Sequence, residues 1–535
     1  MASIRHSERN PGIGRRTFLK GTAASGLALS PFLASCGVET SSDGLGKRLV
    51  IRQTLEMEVL DPAFAAGRSD YEVMACVYEG LIGYSPGTTD EVKTLAEEYD
   101  VNDDGTRIRF KLRPGIKFHR GYGEVTAEDV KFSFERTAGV NGHNLKSPYE
   151  GDWGQLEEVR VTGRYTGEIR MKQTFAPLFK TTLPLDRGYI LSKRATKERG
   201  DRYATNPIGT GPYEFVEWKP RQYALLRKFK AYGGSNEAYA DPVLWDEIEI
   251  RAVENDNSAA IGLTTGEIDY GTVAPIDAPR LREDGGFEVA DKQSVDYSFI
   301  GMNQAHEKLE DKRVREAVRA AIDVDSIIAA AFDDAYERAT AVIPPNMGFG
   351  HWKDAPVREP DLDRARSLLE EAGATDLSFT LTTATDQQGG DVVLQVVQAN
   401  LREIGIESEI KLQDSGTFFT LGGKTQAARE IFYTGFSSLP DPFWSMSWFT
   451  CDQIDKWNFQ AYCDKQFDAL HNRATQTVDT AERDKLYVQM QKRWDEACNT
   501  VWVTWPTVWY AGNSDLEPSI RADARMLPWD FRRAS

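Results

Sequence analysis

Nine aromatic residues crowd into the 28 positions 432–459, FYTGFSSLPDPFWSMSWFTCDQIDKWNF. They sit among Gly, Ser, Pro and Asp, without the 2.0- or 3.6-residue period of a strand or helix that faces a core. Aromatics on turn-rich chain can do one of two things. They can wall a concave site, where flat faces and a few polar groups select a solute, or they can plug the edge of a large core. As a wall, Phe436, Trp444 and Trp457 would stack on a sugar or an apolar side chain, or hold a cation. Cys451 and Cys463, 12 residues apart, flank the far end of the stretch and are expected to bridge in an oxidising compartment.

Other chemistry finds little support. Beyond residue 35 the histidines are 119, 143, 306, 351 and 471, and none lies three or four residues from another histidine or a cysteine, so no zinc or metalloprotease motif is formed. There is no Gly-x-Ser-x-Gly elbow for a serine hydrolase,. With 82 acidic residues, paired carboxylates can be found anywhere and mean nothing by themselves. An exported hydrolase is therefore the weaker expectation. A binding protein with no resident metal or cofactor is the stronger one.

The ends and the composition point the same way. Arg15-Arg16-Thr17-Phe18-Leu19-Lys20 precedes an apolar, small-residue run to Ala34, followed by Ser35-Cys36. This is the make-up of an export signal over 1–36, too short to span a bilayer permanently. The paired arginines look like a twin-arginine address. Leu33-Ala34-Ser35-Cys36 resembles a lipobox, in which Cys36 takes the lipid; the alternative is an ordinary cleavage site beside an incidental cysteine. Residues 37–47 (GVETSSDGLGK) read as a flexible tether,. Removal of residues 1–35 leaves 59 basic and 81 acidic side chains, a net charge of −22. That charge disfavours nucleic acid and anionic lipid surfaces as partners. The expected product is an exported, periplasmic or cell-surface monomer anchored by its lipid. Cys76 and Cys498 are expected as buried thiols.

The elements that must carry the aromatic stretch can be read in order. LVIRQTL (49–55) predicts a strand, and 69–81 a helix. Ile108, Phe110 and Leu112 alternate with basic residues as a half-buried strand. Thr126 starts a capped helix, and 159–171 suggests a hairpin. Asn206–Tyr213 (NPIGTGPY) looks like a hinge segment and lacks the ending of a phosphate loop. Strands follow at 213–218, 223–227 and 243–251, then a short helix with a turn over 261–270. From 295 the pattern becomes regular α/β: a strand at 297–302, a helix on Val314, Ala317, Val318 and Ala321, another over 361–372 closed by Gly373, then strand, helix and strand through 412. This predicts a parallel sheet with covered faces. A long helix at 480–498 and a single strand at 501–510 end the series.

Several short stretches together resemble one family. Leu60-Asp61-Pro62 with Tyr78-Glu79-Gly80-Leu81, Lys117-Phe118-His119-Arg120-Gly121, Thr126-Ala127-Glu128-Asp129-Val130-Lys131-Phe132-Ser133, Pro207–Tyr213, and Val314-Arg315-Glu316-Ala317-Val318 occur in the order seen in the dipeptide, oligopeptide and nickel class (family 5) of solute-binding proteins of ABC importers. The resemblance covers roughly 48–515. It implies a two-lobed periplasmic-binding-protein fold (type II) with a hinge and an extra inserted α+β domain. Lobe I would be 46–84, 206–290 and 501–535, the insert 85–205, and lobe II 291–500. A solute would be caught between the lobes and passed to permease subunits. Cys451, Trp457-Asn458-Phe459 and Cys463 resemble a bridged loop of dipeptide binders. In such proteins an Asp a few residues after the glycine that matches Gly435 pairs with the ligand's α-amino group. Here Leu439 falls at that position, and Asp441, next to Pro442, matches a structural Asp-Pro. The implied ligand contacts are thus Phe436, Leu439, Asp441, Trp444 and Trp457, with a peptide-like solute expected and a sugar or metal chelate as the alternative.

Overall fold

Strand Tyr297–Met302 is buried at all six positions and sits inside a six-stranded sheet. In the computed structural model, which describes residues 47–534 apart from 66, 233–244, 375 and 420–427, that sheet runs Glu337–Arg338, Thr500–Trp505, Tyr297–Met302, Ile431–Phe436, Ser378–Ala384, Glu407–Gln413. The export signal, Cys36, the tether to residue 46 and the start of the strand expected at 243 lie outside the described residues. Among the described residues no helix is long and apolar enough to cross a membrane.

The sheet is mixed rather than purely parallel. Ser378–Ala384 pairs parallel with both neighbours, whereas Tyr297–Met302 pairs antiparallel with both of its own. Helices cover it as their periodicity requires. Lys312–Ala321 buries Val314, Ala317, Val318 and Ala321 and is capped by Asp311, whose side chain accepts from the Arg313 amide. Leu362–Ala372 is capped by Asp361 and stopped by Gly373 in the left-handed region, a conformation glycine adopts without strain. These elements form the second lobe.

The first lobe has a seven-stranded sheet: Phe287–Gln293, Thr507–Asn513, Tyr270–Val273, Arg48–Gln53, Glu247–Ala252, Tyr223–Lys228, Tyr213–Lys219. Between the early parts of this lobe lies a separate antiparallel sheet of four strands, Ala96–Val101, Arg107–Leu112, Thr166–Met171 and Leu156–Val161. Helix Ala127–Ala138 covers it. Its Thr126–Asp129 capping box closes the start, Asp129 accepts from the Lys193 amide, and Ser133 Oγ accepts from Leu191 N. The motif around Thr126 therefore positions the insert.

Four expectations need correcting. The run 501–510 is two strands, because Pro506 has no N–H for a ladder. Thr500–Trp505 stays in the second-lobe sheet and Thr507–Asn513 enters the first. The second-lobe sheet thus extends past 500, and it starts after 291, since Phe287–Gln293 still pairs with Thr507–Asn513. The segment 206–213 is wedged inside the first lobe and does not join the lobes. A Cβ on Gly209 would lie 2.0 Å from the Val77 carbonyl oxygen, and one on Gly211 2.6 Å from that of Cys76; the glycines there serve close backbone approach. The helix expected at 261–270 is Asp256–Thr265, followed by strand Tyr270–Val273.

The chain crosses between sheets at Ser294–Asp296 and at Pro506. These crossings touch: the Ser294 amide donates to the Pro506 carbonyl at 2.9 Å. Asp296 accepts from the Ser438 amide at 2.9 Å and lies 3.6 Å from Arg68 of the first lobe.

Candidate functional site

Strand Ile431–Phe436 delivers the aromatic stretch to the seam between the lobes. Beyond it the chain turns at Pro440, and Asp441 caps helix Pro442–Ser447 by accepting from the Phe443 amide at 2.9 Å. The same carboxylate is fully buried and takes two hydrogen bonds from Arg483 of helix Thr480–Glu496, at 2.7 and 2.8 Å. Burial opposes the charge of Arg483, but Asp441 and Tyr487 outweigh it and hold the guanidinium above its usual range. Tyr297 donates to the Ser445 carbonyl, and Ser438 Oγ meets Ser445 Oγ at 2.8 Å. The turn is thus pinned from three sides.

What this rigid turn presents is apolar. Leu439 and Trp444 form one buried cluster with Tyr84 and Leu185 from across the seam, edged by Tyr149, Phe443 and Trp448. Trp444 and Trp448 have ring centres 5.9 Å apart, and Trp448 and Trp457 5.7 Å. Phe443 meets Phe175 of the insert edge-on at 5.4 Å, and the Ala176 amide donates to the Thr475 carbonyl at 2.7 Å. The lobes are in contact along this line.

The stretch divides between its two expected roles. Leu439 and Trp444 face the seam. Phe436 and Trp457 stand behind them in the second-lobe aromatic core with Phe432, Phe449 and Phe459, where Phe436 still lies 6.2 Å from Trp448. Asp441 is behind the wall and committed to Arg483. The loop past the helix is closed by a Cys451–Cys463 disulfide, with Cα atoms 4.6 Å apart, and braced by Asn458, whose amide donates to Phe449, Thr450 and Tyr462 carbonyls. Cys76 and Cys498 are free thiols buried in the protein. Among the described residues no group of three or more His, Cys, Asp or Glu side chains could hold a metal ion.

Sequence reasoning missed the first-lobe side of the seam. Arg187 lies in a short turn with no motif around it. Its guanidinium is 3.6 Å from the centre of the Tyr149 ring and 5.1 Å from that of Tyr71, donates to Tyr71 OH at 3.0 Å, and pairs with Asp186 and Asp152. Burial pushes the Asp152 carboxyl up to about 7, against the pull of Arg187. Trp448 could have been noticed, since it follows Trp444 by four positions, one helical turn,.

Two mixed α/β lobes with two chain crossings and an aromatic seam define a hinged binding protein. Comparison with known proteins makes the class specific. The model for bacterial extracellular solute-binding proteins, family 5, matches residues 91–456, and the chain belongs to that family. It is 29% identical over 497 residues to the glutathione-binding protein GsiB of Escherichia coli O1:K1, covering 90% of this chain and 91% of that protein. In fold it is similar to the periplasmic binding protein DppA of Helicobacter pylori, solved with the peptide STSA (TM-score 0.79, 23% identity, 91% of this chain and 98% of that one). It is also similar to the dipeptide-binding protein of Pseudoalteromonas sp. SM9913 in complex with Met-Leu (TM-score 0.79, 21% identity, 91% and 100%).

Proposed function

We propose that this chain is an extracytoplasmic receptor that takes up a peptide-like solute between its lobes and hands it to the permease of an ABC importer. It works as a monomer, held to the membrane by lipid on Cys36, and performs no chemistry on its cargo. The observation that carries this reading is the shared cluster of Leu439 and Trp444 with Tyr84 and Leu185: a solute lodged there touches both lobes and stabilises their contact. The relatives named for glutathione, a tetrapeptide-bound structure and a Met-Leu-bound one support a peptide-like cargo.

Thermal unfolding of the exported chain with dipeptides, tetrapeptides, glutathione, oligosaccharides and nickel chelates tests it. A peptide-like solute at about 100 times its Kd should add roughly 2.7 kcal/mol of stability. A rise with oligosaccharide or chelate alone would redirect the assignment, and no rise with any solute would defeat it. Mass spectrometry of the incubated solutes should find them unchanged. Labelled palmitate should be incorporated into the chain but not into a Cys36→Ala variant.

A further inference from the structure

The first-lobe side of the seam carries two charge imbalances of opposite sign. At one, Arg187 serves two buried carboxylates, Asp186 and Asp152, and Oδ2 of each accepts no hydrogen bond. At the other, Asp523 serves two buried guanidinium groups. Arg521 donates to both of its oxygens, at 2.8 and 2.7 Å. Arg525 stands 3.6 Å from Asp523 and over the Tyr71 ring at 4.6 Å, and its guanidinium donates no hydrogen bond among the described residues. The neighbouring charges are engaged elsewhere: Arg68 with the Ala524 carbonyl and Asp296, Glu72 with the Gln53 side chain and the Met526 amide. A buried charge short of its counter-charge is unfavourable. Among the described residues no ion pair joins Asp186 to Arg521 or Arg525, so the two imbalances do not cancel each other directly.

Both imbalances border the same space. Asp186, Arg521 and Arg525 line one small hollow with Leu185 and Tyr189. It adjoins a larger one of about 50 Å³, which shares Arg521 and Tyr189 and reaches Tyr84. Tyr84 and Leu185 also belong to the cluster that Leu439 and Trp444 complete across the seam. The recess therefore backs the first-lobe face against which a solute would rest. At about 10–15 Å³ for each water-sized atom, it admits a small polar head and excludes a whole peptide. The turn that delivers both arginines is fixed. Ala524 holds a φ of 60°, in the left-handed region that alanine occupies at a cost, and its carbonyl accepts from Tyr510 and Arg68.

Resting on the receptor reading above, we infer that this recess takes an α-amino-acid head, a free ammonium and a free carboxylate on one carbon. Asp186 receives the ammonium and Arg525 the carboxylate. An ammonium carries only donors and a carboxylate only acceptors, so the head completes the open carboxylate oxygen and the open guanidinium with charge-assisted bonds. An ordinary α-linked peptide holds its two termini apart along the chain. A γ-linked glutamyl peptide keeps both groups on its first residue, and that is the solute class the recess selects. The rest of such a peptide lies along Leu439 and Trp444.

The experiment uses matched isomers, γ-Glu-Phe against α-Glu-Phe and γ-Glu-Leu against α-Glu-Leu, titrated calorimetrically into the exported chain. The members of a pair have the same atoms and charges and differ in whether ammonium and carboxylate share a carbon. The γ-linked member should bind about tenfold or more tightly. N-acetylation of γ-Glu-Phe, or conversion of its α-carboxylate to the amide, should each weaken binding by about the same factor. In Asp186→Asn and Arg525→Gln variants the preference for the γ-linked isomer should fall to about twofold or less. That ratio is read within one variant, so a general loss of stability does not imitate it, and the blocked peptides test the same contacts on the unchanged chain. Equal binding of the isomers, blocked peptides binding as tightly as free ones, or variants that keep the full preference would overturn the inference and leave the receptor assignment standing. Failure of every peptide, α- or γ-linked, to bind would remove both.

Discussion

Asp441 and Arg483 grip each other through two charge-assisted hydrogen bonds of 2.7 and 2.8 Å, with 0% and 3% of their side-chain surfaces exposed. The pair ties the turn that carries Leu439 and Trp444 to the long helix Thr480–Glu496. Breaking such a pair strands a buried charge. Arg483→Met should lower stability by about 3–5 kcal/mol, read as a fall in the urea midpoint. The double variant Asp441→Asn/Arg483→Met should recover part of that loss; equal losses in the single and double variants would show that the charge pair is not the cause.

The seam and the first-lobe sheet can be separated with two tryptophans. Trp218 donates to Glu56 at 3.0 Å within the first lobe, away from the cluster that holds Trp444. Trp444→Ala should abolish the solute-dependent rise in melting temperature, and Trp218→Ala should lower the baseline while preserving the rise. If both variants lose it equally, the aromatic stretch serves only as a core plug.

The Cys451–Cys463 bridge closes a 12-residue separation, which in the chain-entropy view stabilises by about 3 kcal/mol. The double Cys→Ser variant should lose an amount of this order in chemical unfolding. Cys76 and Cys498 are buried, and burial pushes the Cys498 thiol up to about 11. Ellman's reagent should therefore find almost no thiol in the native chain and both in urea. A fast native reaction would contradict the burial.

His119 gives the fold an acid limit. Its Nδ1 accepts from the Gly209 amide at 3.3 Å, which leaves Nε2 to donate to the Gly211 carbonyl at 2.9 Å. Burial depresses its pKa from 6.5 to about 4, only partly offset by the Gly211 bond. A depressed histidine contributes stability that is present above pH 6.5 and lost as pH falls towards 4. The contribution is about 3 kcal/mol at most. Melting temperature should decline over that window, and His119→Gln should flatten the decline at the cost of a lower plateau near pH 7.

Much of this architecture can be read from residue order. Val314, Ala317, Val318 and Ala321 declare their helix because its buried face repeats at 3.6 residues,. Ile108, Phe110 and Leu112 declare a strand because one face is buried and the other wet,. The hinge escapes such reasoning. Pro506 stands in an apolar run that looks continuous, and only long-range pairing assigns its two halves to different sheets. Asp441 hides for a related reason: its partner Arg483 is 42 residues away, and no local pattern announces that pairing. Arg187 and Tyr149 join the seam through tertiary folding of the insert, with no periodic signal of their own.

Ser294 and Pro506 remain joined by a single backbone hydrogen bond where the chain passes from one sheet to the other. Two pins set side by side on one edge let a door swing and resist its sliding or twisting. A cargo too bulky for the seam would prop that door ajar in proportion to its size. On the receptor reading proposed above, the angle between the lobes would then express the length of what is held inside.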